Sequence, residues 1–483
     1  MKVGLAAFEH LPIKVGGLAE AVTSLGEALQ KKAEVIVFIP SHGILTEEVK
    51  DIGADFSTVA KYCHFHILVG KETYPVNVYE TTRRGVRIFL LSSNILDESS
   101  IYPPRELIIK KVVHFTKALL GLVNIILKKE QFKPDIFHIN DWHCVLAGTL
   151  VKKYFDITFV FTIHRLCREY IATDALNEVK LGEFIDPLFL EGELFNIEKL
   201  GAHTCDQLVT VSSGYLNEKW IDFFSAFEGK TTYVWNGTDY NFWSPGKLHR
   251  GHLARNKRKK LALTENGLED GLMFLYVGRL DREQKGVDNL LTAFEMIMRG
   301  EITGAAEIKD ELRLFLLGTG DHYLQNEAQR MEREYPENMK AVLQFLNREE
   351  TRELYGAADF CLIPSHFEPF GLVQLEAMCM YCIPIGSRVG GIKDTVIDLH
   401  EDRDNCTGRL VTPNNSAALA RAIVDMAQLF YRDPSKLENM RLRGRENVIN
   451  NFTWDDAAEN YLNVYNNKAP VKISFVSCTD SPY

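Results

Sequence analysis

The sequence lacks the features that mark membrane, nucleic-acid-binding and disulfide-stapled proteins. It contains no run of about 18 apolar residues, and its first segment, MKVGLAAFEH, has neither a charged leader nor a long apolar stretch. Acidic residues (65) outnumber lysine and arginine (55), and the net charge of −10 disfavours nucleic acid and anionic membrane as partners. We therefore expect a soluble, cytoplasmic protein that is neither membrane-bound nor nucleic-acid-binding.

Cysteine is also too sparse and irregular for a disulfide framework. The nine cysteines are odd in number and scattered, which is typical of a reducing compartment such as the cytoplasm. Cys379 and Cys382 form a single CxxC, but a zinc ion would lack its remaining ligands because no second CxxC or nearby histidine pair accompanies them. We interpret both as packing residues and expect no metal.

What the chain does contain is a large apolar fraction arranged in two similar series. Its 483 residues, 46% apolar, exceed what one core usually organises, so two domains are expected. Short β-branched runs separated by helix-length segments predict strands of mostly parallel sheets. The predicted strands are 3–8, 35–39, 86–91, 136–139, 159–163 and 208–211, followed by 273–277, 312–317, 342–346, 360–363 and 383–385. The expected fold class is α/β, with two doubly wound Rossmann-like domains facing a central cleft.

The domain limits are placed by turn residues and charge. Gly/Pro-punctuated turns near 235–246, followed by a basic segment over 249–260, predict a linker, so the domains are 1–243 and 244–451. We interpret the basic segment as solvated charge at a helix start. The last predicted helix covers 454–465, and 468–483 forms a flexible tail.

The first candidate site is a Gly-Gly turn after the first predicted strand. Lys14, Gly16, Gly17 and Glu20 belong to the run KVGGLAE, which opens a helix over 19–30. Glycines let backbone N–H groups approach an anion at a helix N-terminus, and Lys14 adds a cation, so the run predicts a phosphate site. A turn that merely closes a βα loop is the alternative.

Polar residues also follow two neighbouring predicted strands. Asn140-Asp141-Trp142-His143 follows 136–139, and His164 ends 159–163. Carboxyl ends of parallel strands are where such sheets bind ligands, so both segments are expected in one cleft. For His138 and His143 a structural role is at least as good an interpretation.

The second domain carries a cationic loop. Arg279 and Lys285 lie six residues apart in GRLDREQKG, after strand 273–277. A guanidinium fork and a compact ammonium suit a diphosphate, whereas an exposed charged loop is the alternative. Gly318-Thr319-Gly320 is interpreted as an ordinary βα turn.

The sharpest pattern is EPFGLVQLE. Glu368 precedes a glycine-containing helix start, and Glu376, eight residues on, is expected on the second turn of that helix. The backbone N–H groups of Gly371 and Leu372 are expected to face an anion, and Glu368 to bind sugar hydroxyls.

Together, KVGGL, NDWH, FTIH, VSSGY, WNGTDYNFW, GRLDREQKG and EPFGLVQLE resemble the glycogen/starch synthase family over nearly the full length and in the family's order. With its second glutamate, EPFGLVQLE resembles the motif of archaeal-type glycogen synthases more than that of the bacterial and plant forms. The resemblance implies a retaining GT-B glycosyltransferase. Such an enzyme transfers glucose from ADP-glucose or UDP-glucose to the non-reducing end of an α-1,4-glucan, without a metal or other cofactor.

The resemblance also implies residue roles. Arg279 and Lys285 would hold the diphosphate, Glu368 the glucose hydroxyls and Glu376 the ribose. Lys14, Gly16 and Gly17 would meet the phosphates when the domains close about a hinge near 243–247 and 451, and His164 would contact the sugar. The other expected substrate-binding residues are Glu20, Asp141, Asn236, Gly371 and Leu372. The helix 454–465 would return to the first domain.

Several alternatives stay open at this point. A related transferase that glucosylates a small sugar or sugar phosphate would share the donor site, and a non-catalytic glucan-binding protein would share the fold. The retained Arg279, Lys285, Glu368 and His164 argue against a pure binder. Glu20 stands where the family often has aspartate. The sequence decides neither which nucleotide sugar is the donor nor the oligomeric state, and a homo-oligomer is one of the open possibilities.

Overall fold

The computed structural model describes residues 1–45, 52–130, 132–182, 190–192, 194–246 and 252–467, and of 252–254 the backbone only. The chain divides into two compact units. Unit 1 contains Met1–Val211, Lys219–Val234 and the C-terminal segment that starts at Trp454, and unit 2 contains Ser212–Glu218 and Trp235–Thr453. Helices alternate with strands of mostly parallel sheets in both, which confirms the predicted α/β class.

Within the described residues, unit 1 contains a nine-stranded sheet and a separate three-stranded sheet. The strands of unit 1 are β1 Lys2–Ala6, β2 Glu34–Pro40, β3 Ala60–Val69, β4 Glu72–Arg83, β5 Val86–Ser92, β6 Ile136–Asn140, β7 Thr158–Ile163, β8 Tyr170–Ala172, β9 Leu190–Glu191, β10 Leu194–Asn196, β11 Gln207–Thr210 and β12 Thr231–Tyr233. The large sheet has the order β12-β11-β7-β6-β1-β2-β5-β4-β3, and the small one is β8-β10-β9.

The strand order of unit 1 reverses between β1 and β6. The chain runs from β1 to β2 on one side and from β6 to β7 on the other, with parallel pairing throughout this central region. Ligands of doubly wound sheets bind at such a switch point, outside the carboxyl ends of the strands. The KVGGL and NDWH runs follow β1 and β6, so both lie at the switch point of unit 1.

The helices pack around these sheets and complete the βα pattern. In unit 1 they are α1 Gly17–Gln30, α2 Arg105–Glu130, α3 Val145–Phe155, α4 Thr173–Glu178, α5 Ile197–Thr204 and, last in the chain, α15 Trp454–Tyr465. In unit 2 they are α6 Ser213–Glu218, α7 His252–Glu265, α8 Val287–Met298, α9 His322–Glu334, α10 Arg348–Ala357, α11 Val373–Cys379, α12 Gly390–Thr395, α13 Ser416–Arg432 and α14 Pro434–Asn451. Short 3₁₀ segments occur at Trp142–Cys144, Phe224–Lys230, Ala305–Glu307 and Lys309–Glu311.

Unit 2 is built on an entirely parallel sheet. Its strands are β13 Leu272–Val277, β14 Leu312–Leu317, β15 Met339–Val342, β16 Phe360–Ile363, β17 Ile383–Ser387 and β18 Arg409–Val411, in the order β15-β14-β13-β16-β17-β18. This is the strand order of dinucleotide-binding Rossmann domains, whose switch point lies between the first and fourth strands. The GRLDREQKG loop follows β13 and EPFGL follows β16, so the two motifs meet at the switch point of unit 2.

The strand prediction is wrong at 342–346 and misses β3, β4, β8, β9, β10, β12 and β18. The strand expected at 342–346 is β15, Met339–Val342, because its pairing with β14 ends at Val342 and Phe345 beyond it is 86% exposed. The hairpin of β3 and β4 was missed because neither strand is a continuous buried run. β3 is mostly exposed or half-buried, and β4 alternates buried with half-buried residues over much of its length. Antiparallel pairing of β3, β4 and β5 therefore extends one edge of the sheet of unit 1.

The unit boundaries differ from the expected domain limits. Residues 212–218 and 235–243 belong to unit 2, although the sequence placed them in the first domain. Trp243, expected at the start of a hinge, is buried in unit 2, where the Arg445 guanidinium donates a hydrogen bond of 3.1 Å to its carbonyl oxygen. Lys247, at the end of the expected hinge, lies outside the described residues, as do 249–251 and the tail 468–483.

The helix α15 joins unit 1 through hydrogen bonds in the interior. His138 on β6 shares hydrogen bonds of 2.7 Å with the Tyr465 hydroxyl and the Thr162 hydroxyl, and Thr162 shares one of 3.1 Å with the Tyr461 hydroxyl. Burial lowers the pKa of His138 to about 3, so the ring is neutral. The C-terminal helix thus supplies one hydrogen-bond partner to each of two buried strand residues, Tyr465 to His138 and Tyr461 to Thr162.

The basic helix α7 is held to the sheet of unit 2 by a buried ion-pair cluster. Asp359, 1% exposed, accepts hydrogen bonds from Lys259 at 2.9 Å, from Arg441 at 3.4 Å and from the backbone N–H of Met273 at 3.1 Å. Arg255 pairs with Glu438 at 3.4 Å. The basic segment expected to be solvated is therefore partly buried and paired.

Two further features of the described residues bear on sequence expectations. Cys379 and Cys382 are buried and unbridged, which agrees with a packing role. Across the described part of the chain, no helix combines the length and apolar character that a membrane span requires.

We predict that Asp359→Ala destabilises the protein by about 3–5 kcal/mol, because it leaves the buried cations Lys259 and Arg441 without their carboxylate. Urea unfolding followed by circular dichroism measures the change. Arg432→Ala, which removes an exposed ion pair with Glu307 in the same unit, is the matched control and should leave the midpoint nearly unchanged. Equal midpoints for the two variants would contradict the prediction.

Candidate active site

In unit 1 the loop after β1 is organised by a buried glutamate. One carboxylate oxygen of Glu9, 2% exposed, accepts hydrogen bonds from the backbone N–H groups of Val15 at 2.7 Å and Gly16 at 2.9 Å. The other oxygen accepts a hydrogen bond from the Tyr102 hydroxyl. The N–H of Gly16, expected to face a phosphate, therefore already donates to the Glu9 carboxylate. Gly17 is the first residue of α1.

The two charged residues of the same loop are paired. The Lys14 ammonium lies 3.9 Å from a Glu20 carboxylate oxygen, and the other oxygen accepts a hydrogen bond of 3.4 Å from the Ser24 hydroxyl. Lys14 is 41% exposed and Glu20 10% exposed. The Lys14 ammonium is therefore accessible to solvent, while the Glu20 carboxylate is largely buried in the first turn of α1.

Asp141 and His164 meet at the ends of β6 and β7. The Asp141 carboxylate accepts hydrogen bonds from the backbone N–H groups of His164 at 2.7 Å and Arg165 at 3.3 Å. Desolvation raises the pKa of Asp141 to about 7, and the nearby Glu9 adds to this rise. Asp141 therefore holds the start of the loop that carries His164.

The ring of His164 has a defined tautomer. Its Nε2 lies 2.9 Å from Asn140 Oδ1, while Asn140 Nδ2 donates to the Ala6 carbonyl at 3.3 Å. Since Oδ1 only accepts, Nε2 carries the proton and Nδ1 is an acceptor. Burial lowers the pKa of His164 to about 4, so the ring is neutral near pH 7.

His143 has a structural environment, as His138 does. Its ring stacks on Trp142 and Phe8, with centroid distances of 4.0 and 4.7 Å, and burial lowers its pKa to about 3. Both histidines thus fit the structural interpretation that the sequence left open.

In unit 2 the two sharpest motifs are joined by an ion pair. Lys285 Nζ donates to a Glu368 carboxylate oxygen at 2.6 Å, and the Ser365 hydroxyl donates to the same oxygen at 3.1 Å. Glu368 is 8% exposed and Lys285 24% exposed. The contact brings the loops after β13 and β16 together at the switch point.

Arg279 lies on the same loop as Lys285 and is more exposed to solvent. One nitrogen of its guanidinium donates to Asp281 at 2.7 Å and to the Gln284 side-chain oxygen at 3.4 Å, and the Arg279 side chain is 51% exposed. The buried Tyr276 hydroxyl donates to the Arg279 carbonyl at 2.8 Å, which fixes the backbone.

The GxG turn after β14 supports this loop. A Cβ on Gly318, whose φ is +151°, would lie 1.8 Å from the Gly278 carbonyl oxygen. Leu280 donates its N–H to the Thr319 carbonyl at 2.9 Å. The turn interpreted as ordinary thus packs against the Arg279 loop, and only glycine permits that approach.

The helix after EPFGL begins later than expected. It is α11, which begins at Val373, so Glu376 lies in its first turn and not its second. The Tyr355 hydroxyl donates to Glu376 at 3.3 Å. Within the described part of the chain, the amides of Gly371 and Leu372 have no backbone or side-chain acceptor, and their anion-facing role stays a prediction.

A second glycine pair fixes the backbone around Glu368. Gly391 donates its N–H to the Glu368 carbonyl at 3.1 Å, and a Cβ on Gly390 would lie 1.8 Å from that oxygen. Asn236, another expected substrate-binding residue, is buried in the segment after β12. Its neighbour Trp235 donates to Asp394 at 3.0 Å.

Sequence reasoning missed Glu9, Tyr102 and Ser365. Tyr102 is 93 residues from Glu9 in the chain, so no local pattern links them. Ser365 lies three residues before Glu368, and a hydroxyl at that short spacing was the available signal. Among the described residues, no group of three or more His, Cys, Asp or Glu side chains has the arrangement of a metal site.

Two family models cover most of the chain. The model described as starch synthase catalytic domain matches residues 2–229, and that described as glycosyl transferases group 1 matches residues 259–447. The first spans most of unit 1 and the second most of unit 2.

Curated relatives match over nearly their whole length. The chain is similar to the glycogen synthase of Thermotoga maritima, with 28% identity over 98% of this chain and 100% of the relative. It is also similar to that of Finegoldia magna, with 26% identity over 96% of this chain and 99% of the relative. Both relatives are bacterial, so the archaeal likeness stays a prediction.

Solved structures share the fold. The catalytic domain of Starch Synthase IV from Arabidopsis thaliana, bound to ADP and acarbose, matches with a TM-score of 0.83 at 20% identity, over 96% of this chain and 98% of that one. Sucrose-phosphate synthase from Thermosynechococcus elongatus matches with a TM-score of 0.65 at 22% identity, over 96% and 98%. With its motif order, strand orders and full-length relatives in agreement, the chain belongs to the glycogen/starch synthase family of GT-B glycosyltransferases.

Proposed function

We propose that the protein is a glycogen synthase that transfers glucose from ADP-glucose or UDP-glucose to the non-reducing end of an α-1,4-glucan, with retention of configuration. The observation that carries this proposal is the Lys285–Glu368 contact beside Arg279 at the switch point of unit 2. It combines cations for a leaving diphosphate with a carboxylate for sugar hydroxyls. The full-length glycogen synthase relatives support it, as does the starch synthase domain that binds ADP and acarbose.

The donor contacts proposed for unit 2 follow from its donors and acceptors. Breaking the anomeric C–O bond moves negative charge onto the diphosphate, which Arg279 and Lys285 neutralise. Lys285 has three N–H donors and one already contacts Glu368, so two remain for phosphate oxygens. Glu368 accepts glucose hydroxyls, Glu376 accepts ribose hydroxyls, and the amides of Gly371 and Leu372 donate to the anion. No metal is needed for this step.

In unit 1 we propose that Lys14 and Gly17 contact donor phosphate and that His164 contacts the sugar. Gly16, whose N–H donates to Glu9, leaves space for the phosphate because it has no side chain. Because Nε2 of His164 is committed to Asn140, the neutral ring offers Nδ1 as an acceptor for a sugar hydroxyl. Glu20, Asp141 and Asn236 are proposed substrate-binding residues, and the contacts of Asp141 make it foremost a support for His164.

The experiment that tests the function compares ADP-glucose with UDP-glucose on glycogen, with labelled glucose followed into the polymer. Elongation of glycogen by either donor supports the proposal and identifies the donor. Glucose and sugar phosphates serve as parallel acceptors. Transfer to these acceptors alone would replace glycogen synthase with the small-acceptor alternative.

We predict that Arg279→Ala or Lys285→Ala lowers kcat about 10²-fold or more, since each removes one preorganised charge from the developing diphosphate. Steady-state kinetics with the preferred donor measures the loss. Arg299→Ala removes a surface cation that pairs with Glu295 in the same unit and should retain normal turnover. Near-normal kcat in both site variants would refute their assignment.

We also predict that chelation leaves transfer intact, because two cationic side chains and helix-start amides neutralise the diphosphate without a metal. Initial rates are measured before and after dialysis against EDTA, with and without added Mg²⁺ or Mn²⁺. Loss of activity that either ion restores would show that the reaction uses a metal.

A further inference from the structure

The loop from His164 to Glu169, here called the His164 loop, is arranged around two carboxylates. Asp141 accepts the N–H groups at its start, as described above. Glu198 accepts those at its end: one oxygen takes the N–H of Cys167 at 2.7 Å, and the other takes the N–H of Glu169 at 3.0 Å. At each end of the loop, a side-chain carboxylate therefore accepts hydrogen bonds from the loop's backbone N–H groups.

Glu198 is isolated from positive charge. It lies in the first turn of α5 and is 1% exposed. Within the described part of the chain, no Lys, Arg or His nitrogen lies within 4.0 Å of its carboxylate. Burial raises the pKa of Glu198 to about 7, and the nearby Asp141 adds to the rise. Among the described residues, this buried carboxylate is compensated directly by backbone N–H groups and by the N-terminus of α5.

The contacts explain why this position requires a carboxylate. Its two oxygens accept from two amides two residues apart, so they fix the separation of Cys167 from Glu169 as well as the position of each. A glutamine has one acceptor oxygen, and its NH₂ group would oppose the second amide. An apolar side chain of similar volume would fill the space but leave both amides without acceptors.

We propose that Glu198 is a positioning residue that fixes the His164 loop, and thereby the side chain of His164, for transfer. Together with Asp141 it accepts backbone N–H groups at both ends of the loop, and these contacts fix the backbone that carries the His164 ring. This inference rests on the proposed function, because it assigns His164 a contact with the sugar during transfer.

The test compares Glu198→Gln and Glu198→Leu with wild type. A group displaced by about 1 Å costs up to about 10²-fold in rate, so we expect kcat to fall about 10-fold in Glu198→Gln and about 10²-fold in Glu198→Leu. The KM for the donor should change little, because the donor contacts of unit 2 are intact.

Asp206→Asn is the matched control. Asp206 accepts the backbone N–H of Phe159 at 2.8 Å near the opposite end of β7 from His164, and its other oxygen pairs with Lys152 at 2.6 Å. It should alter the unfolding midpoint but not kcat. Unchanged kcat in folded Glu198→Gln and Glu198→Leu, or an equal kcat loss in Asp206→Asn, would overturn the inference.

Amide hydrogen exchange separates this inference from the proposed function. In Glu198→Leu, or in Glu198→Gln if the leucine variant does not fold, the amides of 167–169 should lose protection while the rest of unit 1 retains it. If wild-type protein transfers no glucose, the proposed function fails and exchange alone decides the positioning role. Wild-type protection of the His164 loop in the variants would then overturn the inference.

Discussion

The backbone N–H groups at the carboxyl ends of parallel strands are the constraint on which both candidate half-sites depend. These groups leave the sheet without a ladder partner and must be satisfied elsewhere. In unit 1 the acceptors are the carboxylates of Glu9 and Asp141, and in unit 2 Asp281 accepts the N–H groups of Glu283 and Gln284 at 2.8 and 3.0 Å. Side-chain carboxylates thus determine where the functional loops lie.

The carboxylates of Asp141 in unit 1 and of Asp359 and Glu368 in unit 2 are compensated differently. In unit 2 they pair with cations, as Asp359 does with Lys259 and Glu368 with Lys285. In unit 1, Asp141 accepts backbone N–H groups, and burial raises its pKa as described above. The cations of unit 2 are therefore already present where a diphosphate is proposed to bind, whereas the loops of unit 1 are shaped by negative charge.

The sequence was sufficient for the central strands and for the motifs that directly follow them. Continuous apolar runs gave the central strands of both sheets, and strand-end motifs gave Arg279, Lys285 and Glu368, because strand, loop and helix start are adjacent in sequence. It was insufficient where partners are distant. Glu198 lies 31 residues from Cys167, and Lys259 lies 100 residues from Asp359. Only the folded topology brings such pairs together, and a lone buried carboxylate has no periodicity that reveals it.

The placement of α15 in unit 1 has a consequence for synthesis of the chain. A ribosome releases the strands of unit 1 early, but the hydroxyls of Tyr461 and Tyr465, which bond Thr162 on β7 and His138 on β6, emerge only after all of unit 2. Domains usually fold in the order in which they are made. Unit 1, which begins first, is therefore completed last. Its buried strand residues gain their final hydrogen-bond partners only after more than two hundred residues, from Trp235 to Thr453, have been translated.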